Sequence, residues 1–200
     1  MTNFTDQADF IIRFQPFQLY PDLPYGDNDG VDKIDYFQQL RTMRNGGVPP
    51  APEVVEERGK RLRAAWRADG LTLAPKGGRW GQSFDAQRLI SLSRKQGRED
   101  AMVEQIYSGN HEQNQPLSEW AFLLAAAERA GVTGAEEMLN STQEVAEVKA
   151  KIQKHIDMGI HAVPVLVIND QEPIHGAPDD DVLARSFVKE IKKSKALGGA

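Results

Sequence analysis

The hydrophobic period changes at Pro164, and that change limits the fold more than any other feature of the chain. From Asp32 to Met158 almost every periodic segment is helical, whereas Met158-Gly-Ile-His-Ala-Val-Pro-Val-Leu-Val-Ile-Asn169, followed by Ile174-His-Gly-Ala177, reads as strand and tight turn. Proline has no N–H to give to a sheet ladder, so a strand tolerates it at its first residue. Residues 165–168 then form a continuous apolar run suited to a buried strand. Asn169-Asp170 is a turn, residues 172–175 a short partner strand, and residues 179–193 a closing helix with Leu183, Phe187 and Ile191 on one face. On the residues alone, Val163-Pro164 is a strand start with an ordinary trans bond, since X-Pro bonds in folded proteins are cis only about 5% of the time.

Upstream, Asp9-Phe-Ile-Ile-Arg-Phe14 is aromatic and β-branched and predicts a strand that ends before Pro16. Tyr20-Pro-Asp-Leu-Pro-Tyr-Gly-Asp-Asn-Asp-Gly30 has turn residues at nearly every step. Helices are expected over 31–45, 53–69, 83–96 and 118–130. In the second, Val55, Leu62 and Trp66 share a stripe; in the fourth, Trp120, Leu123, Leu124 and Ala127 do. Ser141-Thr-Gln-Glu144 fits a capping box opening a further helix, with Val145, Val148, Ile152 and Ile156 apolar. This order predicts an α/β chain: a thin sheet subdomain, residues 9–31 and 142–195, interrupted by an all-helical insertion, residues 32–141. The distant strands must meet to bury Phe10, Ile12, Val165 and Val167.

Composition removes several functions. A net charge of -5 argues against general nucleic-acid binding, which needs a basic face. The basic run at 189–195 suits the end of a helix. No stretch has the roughly 20 apolar residues that span a bilayer, and the first nine residues lack the basic start and apolar run of a secretory signal, so a cytoplasmic, membrane-free protein is expected. The absence of cysteine excludes disulfides, thiolate metal sites and thiol chemistry by these residues. His111, His155, His161 and His175 lack metal-ligand spacing, Asp179-Asp-Asp181 suits a helix N-terminus, and no metal site is expected. Ser83 and Ser91 fall at capping or helical positions, so no catalytic nucleophile is assigned. Gly77-Gly-Arg-Trp-Gly-Gln-Ser83 lacks the ending of a phosphate-binding loop and reads as a loop with Ser83 as N-cap; an anion such as a glutathione carboxylate is its alternative use. Trp66 and Trp120 are expected in the core, and Trp80 in the core or lining a groove.

The succession of helix, Gly-Ile-x-x-Val-Pro, apolar strand, hairpin, Gly-Ala and terminal helix resembles the C-terminal half of a thioredoxin fold in the DsbA-like family. Pro16-Phe-Gln-Leu-Tyr-Pro-Asp-Leu-Pro24, Ala86-Gln-Arg-Leu-Ile90 and residues 159–168 are similar to the FrnE-type and 2-hydroxychromene-2-carboxylate isomerase-like branch. Gln87 stands where that branch usually has His, Gln82-Ser83 where Asn-Thr is common, and His161-Ala162 where small residues are usual. The resemblance implies a thioredoxin-like sheet and a cis Val163-Pro164 bond. It also implies a groove in which Ala162, Val163, Pro164, Ser83 and Gln87 meet glutathione or an extended peptide by main-chain pairing.

In that family the strand at 9–14 follows another strand and a helix that begins with Cys-x-x-Cys, or with a Ser variant in glutathione-dependent isomerases. Such a cysteine is activated by the helix N-terminus. Only eight residues precede the strand here, so the resemblance implies an N-terminally incomplete sheet. Two readings follow. The chain is an oxidoreductase-class protein that is truncated or catalytically inactive, or it is a non-catalytic module that binds glutathione or peptide at the Val163-Pro164 edge. A glutathione-dependent isomerase is a third and would need the absent helix. No cofactor is expected beyond glutathione as ligand. An edge or gap beside residues 9–14 should expose apolar side chains and favour self-association.

Overall fold

A computed structural model describes residues 4, 6–23, 31–74 and 79–197, apart from the side chains of 32–34 and 197. The chain divides into two compact units, Met1–Gln15 with Ile152–Ala200, and Pro16–Lys151.

In the second unit, β1 (Val31–Asp32) pairs antiparallel with β2 (Arg79–Trp80), Val31 opposite Trp80. Between them lie α1 (Lys33–Arg44) and α2 (Pro52–Ala68). The core belongs to the helices that follow: α3 (Phe84–Lys95), α4 (Glu99–Tyr107), α5 (Trp120–Ala130) and α6 (Ala135–Leu139). Their stripes supply Leu89, Met102, Leu123 and Met138, each fully buried. At the end of α5, Gly131 takes a φ of 70° and lets Val132 N–H reach back to Ala127 O at 2.8 Å, which satisfies a terminal carbonyl. A single π-helical turn (Ser108–Glu112) leaves α4 and brings Gly109 against Phe122.

α7 (Val145–Asp157) begins in this unit and ends in the other. There, β3 (Val165–Leu166) pairs antiparallel with β4 (Ile174–His175), Val165 opposite His175, and α8 (Asp180–Leu197) closes the chain. Asn169 and Asp170 both have positive φ, 49° and 56°, and Gln171 N–H bonds Ile168 O at 3.0 Å, the signature of a tight hairpin turn. Phe187 of α8 packs roughly perpendicular to Phe4 and Phe10, with ring centroids 5.8 and 5.0 Å away. No helix among the described residues is long and apolar enough to cross a membrane.

Several expectations need correction. Residues 9–14 form no ladder, and Phe10 and Ile12 are 45% and 65% exposed rather than buried. β-propensity is local, whereas a strand exists only with a neighbour in register, and no described segment supplies one. The buried strand at 165–168 shrinks to Val165–Leu166, half-buried, with Val167 43% exposed. The capping box does not form. Glu144 adopts a φ of 64°, and its carboxylate turns away to Ser91 and Lys95. Arg79 and Trp80 are strand rather than loop; residues 75–78 lie outside the described residues.

A Cβ added to Gly109 would lie 2.2 Å from Phe122 Cε2, well inside contact distance. Gly109→Ala is therefore expected to lower unfolding free energy by about 1–3 kcal/mol in denaturant titration, with Phe122→Leu relieving part of the loss.

Candidate functional site

In the first unit the site begins where α7 stops. Gly159, at a φ of 77°, and the Ile160 N–H to His155 O bond of 3.1 Å end the helix, and Ile160 is buried. The chain then passes through exposed His161, Ala162, Val163 and Pro164 into β3. The Val163-Pro164 bond is cis. Pro164 O accepts from Gly176 N–H at 2.9 Å, which fixes the loop to the end of β4. Among the described residues, neither the N–H nor the C=O of Val163 has a hydrogen-bond partner, and its side chain is 49% exposed. That pair of main-chain groups, at the start of a strand, can accept an extended chain.

The other expected residues, Ser83 and Gln87, belong to the second unit and are half-buried. Ser83 occupies the N-cap position of α3 but its side chain makes no capping bond; only its carbonyl takes the Gln87 N–H, at 3.0 Å. Gln87 Nε2 donates to Phe17 O at 3.4 Å and Gln82 Nε2 to Pro21 O at 2.6 Å, so two side-chain amides hold the segment after Pro16 to the start of α3. Beside it, Tyr20, Tyr36, Phe37 and Trp80 pack together, Tyr20 edge to face with Tyr36 and Phe37 tilted against Trp80 with centroids 4.7 Å apart. Trp80 thus belongs to a small aromatic core. Burial is the first cause raising the Tyr36 phenol, followed by the charges of Tyr20 and Asp22.

Sequence reasoning missed Gln18. Its Nε2 is buried without a partner among the described residues. It lies inside the segment quoted for the resemblance, but a buried amide in a loop leaves no periodic trace. If the orphan donor serves no folding purpose, Gln18→Met should leave stability unchanged or raise it by about 1 kcal/mol in thermal melts, because an unmade buried hydrogen bond is removed.

Beneath this segment α3 carries the strongest polar cluster. Asp85 and Arg88, 1% and 3% exposed at the side chain, pair at 2.7 Å, and Trp120 Nε1 donates to the other Asp85 oxygen at 2.9 Å. Arg88 also donates to Gln143 O and Ser141 O at 3.0 and 2.6 Å and to Met138 O. Farther along α3, Lys95 bridges Glu144 and Glu147, each at 2.7 Å, and Glu147 also takes Lys151 at 2.6 Å. The Lys151 and Lys95 ammonium groups lower the Glu147 carboxyl to about 2, and the same carboxylates raise Lys95. A carboxyl depressed on folding stabilises above its unfolded pKa, near 4.5, and that contribution disappears as pH falls toward 2. Glu147→Gln should therefore flatten the fall in stability between about pH 5 and 2 in urea titrations.

The hairpin, the terminal helix and the helical core together define a thioredoxin-like fold of DsbA type with a helical insertion. The chain belongs to the DSBA-like thioredoxin domain family, which it matches over residues 1–188. Among solved structures it is similar to a probable DsbA oxidoreductase from Streptomyces coelicolor. The two share 22% identity at a TM-score of 0.73, over 86% of this chain and 72% of that one. A comparison with curated proteins finds no match. The family is a scaffold of oxidoreductases, yet these 200 residues include no cysteine and supply no thiolate.

Proposed function

We propose that this chain is a DsbA-like domain of the thiol-disulfide and glutathione-linked oxidoreductase class, in the FrnE-type and isomerase-like branch, that binds without thiol exchange by its own residues. Its ligand is glutathione or an extended peptide laid antiparallel along Val163. The observation that carries the reading is the unpartnered N–H and C=O of Val163 beside an exposed side chain. Two main-chain hydrogen bonds contribute about 0.5–1.5 kcal/mol each, so affinity for so small a ligand is low and no thiol is required. Substrates that differ only at sulfur should then bind alike.

Amide-resolved NMR titration tests this with reduced glutathione and with S-methylglutathione. The Val163 amide is expected to shift with both, at millimolar concentration, while insulin reduction by dithiothreitol stays at background. Shifts confined to other regions, or loss of binding on S-methylation, would overturn the binding mode. Insulin reduction well above background would overturn the inactive reading.

A further inference from the structure

β3 has one edge in use and one open. Pro164 O accepts the Gly176 N–H at 2.9 Å, and the same register continues through Val165 opposite His175 and Leu166 opposite Ile174. Opposed residues in an antiparallel pair alternate between those that exchange main-chain bonds and those that do not. With Pro164 and Gly176 bonded, Leu166 and Ile174 are the next bonded pair, and Val165 turns its N–H and C=O away from β4. Val163 and Val167, two residues to either side, follow the same period. Among the described residues, the N–H and C=O groups of Val163, Val165 and Val167 have no partner, and β3 pairs with no strand but β4. Val163 and Val167 are 49% and 43% exposed at the side chain, and Val165 is half-buried. From Met158 to Asn169 the chain has no acidic residue, lysine or arginine. The open edge is a row of alternating donors and acceptors beside branched apolar side chains, without formal charge.

We propose that this edge, from Val163 to Val167, takes up an extended polypeptide strand in antiparallel register, with uncharged, branched apolar side chains at alternate positions. The inference rests on the reading that Val163 binds main chain, and it narrows the ligand from glutathione to a strand of about five residues or more. Glutathione has two amide linkages and cannot meet the main-chain groups of three valines spread along the edge. A strand can, because its own donors and acceptors alternate with the same period. Strand pairing also fixes which ligand side chains matter. A ligand residue opposite Val165 on the open side exchanges its N–H and C=O with Val165 and lays its side chain on the same face of the sheet as Val165. The ligand's apolar residues are therefore the ones whose amides bond to β3. A carboxylate or ammonium group at those positions would lose water beside the valines and find no counter-ion.

Amide-resolved NMR titration of the full chain tests the edge with reduced glutathione and with a capped nonapeptide of alternating threonine and valine that carries lysine at each end. The peptide is expected to shift the Val163, Val165 and Val167 amides together and to bind about tenfold or more tighter than glutathione. Methylating the valine nitrogens of the peptide should abolish binding, since those N–H groups face β3. Methylating the two central threonine nitrogens instead should change affinity by less than about threefold, and replacing the valines by glutamate should weaken it about tenfold or more. Peptide shifts confined to Val163, at the affinity of glutathione, would overturn the longer edge and leave the Val163 reading standing. No shift at Val163 with either ligand would overturn both. The proposal also fails if the valine-methylated peptide still binds, if the two methylation patterns weaken binding equally, or if the glutamate peptide binds as well as the valine one. Loss of the three amide signals on raising protein concentration alone would give the edge to a second copy and overturn it as well.

Discussion

Arg88 holds the helical unit to its architecture. One guanidinium, nearly without water, meets Asp85 on its own helix and three carbonyls, those of Met138, Ser141 and Gln143, at the end of α6 and in the turn that leads to α7. Those carbonyls sit where a helix ends and have no intrahelical partner. Five donors in a rigid fork suit them, and lysine could not repeat the arrangement. Trp120 adds a donor to Asp85 from α5, so a single buried ion pair ties three helices and a turn. Such a pair is modest as a source of net stability, but every alternative packing leaves a charge buried without its partners, and that is how it selects one arrangement.

The Glu144 geometry follows from the same constraint. Once Arg88 fixes the carbonyls at 138–143, the next residue takes a left-handed φ, which costs a non-glycine side chain about 1–2 kcal/mol. Bonds from Ser91 and Lys95 to its carboxylate, 3% exposed, offset that cost. A four-residue motif that reads as a capping box thus serves packing between helices. The segment after Pro16 rests on the same α3, held by Gln82 and Gln87.

The other unit follows a different rule. Its hairpin is short, its apolar residues at 10–12 and 163–167 are partly exposed, and ring contacts at Phe187 supply much of what the sheet does not. Here sequence reading overreached most. The periods at 165–168 and 9–14 are strand-like, but a ladder needs a neighbour at the right register, and no local residue encodes one.

What the sequence determined by itself were the features with a short-range cause: the helices with clear apolar stripes, the turn at Asn169-Asp170, the lack of any cysteine among these 200 residues, and an order of motifs specific enough to expose the family. Local periodicity and residue chemistry suffice for these. Only the tertiary structure decided that Asp85 and Arg88 are buried together, that Glu144 faces α3 instead of capping α7, that Gln18 hides an amide, and that Val163 presents an unpartnered backbone. Each depends on residues tens of positions away, and burial and hydrogen-bond partnership belong to the packed chain rather than to any window of it.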